Sequence, residues 1–166
     1  ASHLCGLLFQ QSVGVDMTTV PYKGTAPAMT DLLGGQVDIM CDQTTNTTQQ
    51  IESGKVKAFA VTTLKPLTTP TLAKLPTLDA SGLKGFNVSI WHALYAPKGT
   101  PKATQDKINA ALRTALKDPE FIKRQEALGA VVVTDNRLQP AEHKKFVEAE
   151  MNKWGPAIKA AGQYAD

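Results

Sequence analysis

The sequence predicts an α/β fold built on a parallel sheet, and three observations lead there. Short β-rich runs alternate with helical stretches of about ten residues between Met17 and Thr62. Glycines stand where the helical stretches stop. Of 166 residues, 42% are hydrophobic and 20% charged, the composition of an ordinary globular chain able to bury one core.

The elements follow in order. Leu4, Leu7, Leu8 and Val13 recur at helical spacing, so a helix is already under way as the chain opens, and residues are expected to precede Ala1. Met17 to Val20 reads as a first strand. Ala26 to Leu33 reads as a helix ended by Gly34-Gly35, and Val37 to Cys41 as a second strand. A helix from Thr44 to about Ser53 stops at Gly54, and Val56 to Thr62 is the third strand. The order βαβαβ implies right-handed crossovers. Residues 63–76 hold Pro66, Pro70 and Pro76 with little periodicity, which marks an irregular surface connection. Beyond it the pattern gives a short helix near Leu78 to Ser81, a strand around Phe86 to Tyr95 and a turn at 97–101. Helices at Lys102 to Leu116 and Pro119 to Leu128, a strand at Val131 to Thr134 and a long helix from Pro140 to Ala161 complete the chain. This last part is helix-heavy and calls for another sheet to pack on.

Several function classes lack their signatures. The net charge of +3 is scattered without a basic block, so no nucleic-acid partner is expected. No apolar run approaches the roughly 18 to 20 residues of a membrane span. The chain has no GxSxG, GxxxxGK, HExxH or GxGxxG, and His3, His92 and His143 are too dispersed for a metal cluster. No metal, cofactor or catalytic group is therefore expected. Cys5 and Cys41 read as buried free thiols, a disulfide between them being the lesser alternative.

Ligands of an open parallel sheet collect at the carboxyl ends of its strands. Here these ends are Pro21 to Thr25, Asp42 to Thr44, and Thr62-Thr63. Gly24 would let backbone N-H groups approach a ligand, Thr25 would cap the helix, and the helix dipole would favour an anion. Lys23 either adds a full positive charge or hangs in solvent; Tyr22 either walls the site or packs on the sheet edge. Ser2 sits where an N-cap would, with His3 beside it as a ligand or a structural hydrogen-bonder. Asp42 either fixes a water or a ligand amine, or caps the helix that begins near Thr44.

The blocks "VPYKGTAPAMTDLLGGQVDIM", "SGKVKAFAVTT", "LPTLDASGL", "WHALYAPKGTPK", "INAALRTALKDPEF" and "KWGPAIKAAG" resemble, in the same order, the Bug (TctC-like) family of periplasmic solute-binding proteins, receptors of tripartite tricarboxylate transporters. The resemblance implies a type II periplasmic-binding-protein-like lobe of Venus-flytrap kind with a βαβαβ parallel sheet. Residues 1–96 would form the second ligand-binding lobe and 97–166 a helix-rich segment returning to complete the first, whose N-terminal part, with its signal peptide, is absent. It implies a non-enzymatic periplasmic receptor for a small carboxylate, working with membrane components of the transporter, and ligand contacts at Ser2, His3, Tyr22, Lys23, Gly24, Thr25 and Asp42. Cys41 and His92 depart from the usual pattern. Two other readings stand beside this one. The first is a self-associating sensor or scaffold lobe pairing through the helices after Pro101. The second is an α/β enzyme fragment, for which Thr25, Thr44, His3 and Asp42 alone would be available.

Overall fold

The structure is a computed structural model that describes residues 2–161. Among these residues six helices form: α1 (Ser2–Val13), α2 (Thr25–Leu33), α3 (Thr44–Glu52), α4 (Lys102–Ala115), α5 (Pro119–Ala127) and α6 (Pro140–Ala161). A single 3-10 turn, Asn136–Leu138, precedes α6. The helices fall where the sequence places them, and their ends show why. After α2, Gln36 N-H bonds to Asp31 C=O at 2.8 Å, with Gly35 at φ +69°. After α3, Lys55 N-H bonds to Gln50 C=O at 3.0 Å, with Gly54 at φ +68°. Both close the helix with the six-to-one bond that a left-handed glycine permits.

The strands are a different matter. Among the described residues no β-ladder forms at 17–20, 37–41, 86–95 or 131–134, and the short helix expected at 78–81 is a set of turns. The β pairing present is one parallel bridge, Val61 to Thr77. Around it the Val61 N-H bonds to Pro76 C=O and Leu78 N-H bonds to Val61 C=O, both at 2.9 Å, while Val88 N-H bonds to Thr62 C=O at 3.0 Å. Successive residues of the third expected strand thus serve different neighbours, as in the centre of a sheet. The first two expected strands find no such neighbours. Val20 is 47% exposed and Ile39 54%, and a strand that leaves such apolar side chains half in solvent has little to fix its register.

The chain divides into two compact units, residues up to Trp91 together with 127–130, and residues 92–126 with those from Val131 onward. The core lies in the first unit, where Cys5, Met29, Val61, Leu72, Phe86 and Val88 are buried with Thr48, Thr69 and Thr77. The 127–130 segment joins that core through α3. Thr44 Oγ1 donates to Gly129 C=O at 3.1 Å and Thr48 Oγ1 to Leu128 C=O at 3.2 Å. In the second unit Asn109 Nδ2 of α4 donates to Leu138 C=O at 2.9 Å, and Arg137 lies over the Phe146 ring of α6. A shallow cleft there, lined by Ala111, Ala115, Asp118 and Phe121 among others, holds none of the expected site residues. Among the described residues no helix is long and apolar enough to cross a membrane, and no group of three His, Cys, Asp or Glu side chains is placed to hold a metal.

The cysteines correct the sequence reading. Cys5 and Cys41 are joined in a disulfide, Cα atoms 6.1 Å apart and 36 residues apart in sequence, and neither is a free thiol. Only the folded path of the chain, which lays the first turns of α1 beside residue 41, brings them within bonding reach. In the chain-entropy view a closed loop of this length disfavours the unfolded state by about 4 kcal/mol.

Candidate functional site

The site grows from the starts of the first three helices. The Ser2 hydroxyl of α1 donates to Asp42 Oδ1 at 3.1 Å, and the same oxygen accepts the Gln43 N-H at 2.7 Å. Gln43 is the N-cap of α3, so Asp42 ties the start of α1 to the start of α3. One turn into α3, Asn46 Nδ2 donates to Thr25 Oγ1 at 3.0 Å, and Thr25 is the first residue of α2. These bonds gather three helix N-termini.

What those N-termini offer is backbone. Gly24 is the N-cap of α2 at φ 112°, ψ 172°, a conformation that side-chain-bearing residues seldom adopt, and no side chain caps the helix. The N-cap of α3 likewise makes no side-chain cap bond. None of α1, α2 and α3 carries an acidic residue in its first turn. Helix-start amides left without side-chain partners, at the positive end of the dipole, suit an anion.

The remaining expected residues take varied places. Tyr22 is half-buried and donates its hydroxyl to Asp31 Oδ2 of α2 at 2.7 Å; that hydrogen bond, with burial and the nearby negative charge, pushes the phenol's pKa up. It therefore packs along α2 with its donor used. Lys23 and Gly24 are exposed in the turn, and His3 is exposed on α1. The structure thus links Ser2, Asp42 and Thr25 directly, leaves Lys23 and Gly24 at the open rim, and turns the Tyr22 hydroxyl to Asp31.

Three local expectations change. Ser2 lies inside α1 rather than capping it, because the helix already includes it. Thr25 follows the cap and uses its hydroxyl to accept from Asn46. Asp42 bonds the N-H of its neighbour Gln43, so its carboxylate is taken up in joining helices rather than in capping the first turn of α3. One contributor went unread in the sequence: Asn46, in the run Thr44 to Thr48, was legible only as a short amide one turn into a helix that follows a strand end. The disulfide was the lesser of two readings, with no signal beyond two cysteines.

Solved structures of periplasmic solute-binding proteins share this fold. The periplasmic binding protein BugD superposes with a TM-score of 0.89 at 56% identity, over 98% of this chain and 53% of that one. MatC from Rhodopseudomonas palustris with bound malate gives 0.87 at 36% identity, over 95% and 53%. Residues 1–163 match the family described as tripartite tricarboxylate transporter family receptor (TctC), and the chain belongs to that family, one of receptors rather than enzymes. A UPF0065 protein from the TAR-I ttuE-ttuC' intergenic region of Agrobacterium vitis is 48% identical over 162 residues, 98% of this chain and 46% of the relative. The chain spans about half the length of these three proteins.

Proposed function

We propose that this chain supplies one jaw of an extracytoplasmic receptor for a small carboxylate, taken up through a tripartite tricarboxylate-type transporter. The observation that carries the reading is the convergence of three helix N-termini, α2 and α3 without side-chain caps and none with first-turn acids, in a chain whose malate-bound relative shares its fold. One carboxylate would sit on the amides that follow Gly24, with Thr25 beside them, Tyr22 as a wall and Lys23 adding positive charge at the rim. The helix start at Ser2 and His3 would flank it. Asp42 would act by holding α1 to α3, since its oxygen Oδ1 already accepts two hydrogen bonds.

In this reading residues 1–96 form the second lobe and 97–166 return toward the other half of the receptor. Ligand bridging both halves would favour a closed state by hinge motion, in the periplasm, before delivery to the membrane components. Self-association of the chain by itself is a second reading, favoured by large exposed apolar side chains such as Val131 at 81% and Leu94 at 62%.

Gly24→Val tests the site. A Cβ at Gly24 meets no atom within 4 Å, but at φ +112° any side chain strains the turn, so valine both obstructs what approaches from outside and displaces the amides that follow. In a calorimetric titration with malate and other small dicarboxylates, the variant should lose binding while its far-UV circular dichroism is kept. Undiminished affinity would rule out the Gly24 amides as the anion site.

A further inference from the structure

The disulfide and the proposed site share the same two pieces of chain. Cys5 lies one helical turn beyond Ser2 on α1, and Cys41 directly precedes Asp42. The Cys5–Cys41 bond and the Ser2–Asp42 hydrogen bond are therefore adjacent rungs between the start of α1 and the approach to α3. The two rungs differ in strength and in exposure. The hydrogen bond joins partly buried side chains that water can also satisfy, whereas Cys5 is 3% exposed and its link is covalent.

We infer that the Cys5–Cys41 disulfide is a positioning cross-link for ligand binding: it holds the start of α1 against Asp42 and so fixes α1 relative to α3 before ligand arrives. The inference rests on the receptor reading for its functional consequence, but its structural half stands on the two rungs alone. With the disulfide in place the order of the helix starts is set in advance, and the ligand meets amides already aimed. Opening it by a dithiol reductant breaks the S-S bond and leaves two thiols. Two electrons and two protons pass from the reductant, which closes to its own disulfide. Asp42 then keeps its bond to the adjacent Gln43 N-H but loses the covalent constraint that holds Ser2 in reach.

The test compares three samples of the full chain: oxidised, reduced with dithiothreitol, and the double variant Cys5→Ala, Cys41→Ala. Each is checked for helix content by far-UV circular dichroism, titrated with malate by calorimetry, and followed by amide hydrogen exchange at the second turns of α1 and α3, the first whose N-H groups are bonded within the helix. Loss of the cross-link should weaken malate by roughly fivefold or more, the lower end of ordinary coupling between sites. It should also speed exchange at those second-turn amides relative to the amides of α4, which serve as an internal reference. Equal malate affinity in all three samples would overturn the inference and leave the receptor reading standing. Should no sample bind malate, the receptor reading fails for this chain and exchange decides: faster exchange confined to α1 and α3 supports the cross-link's positioning role, and unchanged exchange refutes it. If the reduced and double-variant chains lose their helix content altogether, the disulfide is a requirement for folding rather than a positioning device, and the inference falls.

Discussion

Gly129→Ala should be among the most damaging single-methyl additions in this chain. Gly129 is buried at φ +75°, and a Cβ there would stand 2.7 Å from Leu72 Cδ1, 3.0 Å from Thr44 Cβ and 3.3 Å from Thr44 Cγ2. Leu72 is only 1% exposed, so its methyl group has no open space to move into. Thr44 is held by its hydroxyl bond to the Gly129 carbonyl itself. Two costs add. A left-handed backbone conformation costs a side-chain-bearing residue roughly 1 to 2 kcal/mol, and overpacking a filled core costs roughly 1 to 3 kcal/mol. The expected loss is about 2 to 5 kcal/mol, a large share of the 5 to 15 kcal/mol typical of a folded domain. Gly54→Ala separates the two costs, because Gly54 has nearly the same φ, +68°, and a Cβ there meets nothing within 4 Å. Urea unfolding followed by circular dichroism should place Gly129→Ala well below Gly54→Ala. The variant pair Leu72→Val, Gly129→Ala should lose less than the sum of its single losses, since removing Cδ1 removes the shortest clash. Equal losses for the two glycines, or simple additivity with Leu72→Val, would refute the packing argument.

Other expectations are more local. Thr48 is 1% exposed, and its hydroxyl lies 2.9 Å from Thr44 C=O and 3.2 Å from Leu128 C=O; Thr48→Val should cost roughly 1 to 3 kcal/mol in the same urea assay by leaving the Leu128 carbonyl unpaired. In the second unit, side-chain and then backbone hydrogen bonds from Arg137 hold the Asp135 carboxyl down to about 2 from 3.8. Because the folded value lies below the unfolded one, this pair's contribution is complete above about pH 4 and is lost as pH falls toward 2, so Asp135→Asn should narrow its stability difference from the parent chain across that range. Lys23→Ala should weaken malate by no more than about fivefold, and less at high salt, because an exposed charge is screened; a larger, salt-insensitive loss would make the lysine a direct, desolvated ligand contact.

The parts of this molecule that were legible in its sequence are those fixed by neighbours along the chain. The helix ends at Gly35 and Gly54 follow from residues within six positions of one another, and the helices of the βαβαβ region and of the C-terminal part came out close to their expected bounds. The turn at Gly24 was legible for the same reason. The strands were less so, because a β-rich run states a capacity to pair and not a partner. Val61 and Thr62 met Pro76, Leu78 and Val88, whereas 17–20 and 37–41 met no ladder among the described residues. Gly129 reads in sequence as a helix stop. Its tight packing depends on Leu72 and Thr44, each more than 50 positions away, which no local pattern reports. The disulfide is the extreme case, since two lone cysteines carry no information about the path that brings them together.

That division also explains why the sequence of the site says so little about its ligand. Backbone amides and helix dipoles are the same whatever side chains follow, so the proposed site, made of Gly24 and the starts of three helices, would take many small carboxylates with little change in residue type. The side chains nearest to it are largely committed to one another: Ser2 to Asp42, Asn46 to Thr25, Tyr22 to Asp31. They set where the amides point, not which acid the amides hold. In the proposed receptor, discrimination among acids would come from groups that meet the far end of the ligand, and the solved relatives are about twice the length that this chain covers. A swap of Lys23 or His3 alone should accordingly change how strongly a series of dicarboxylates binds more than it changes their order.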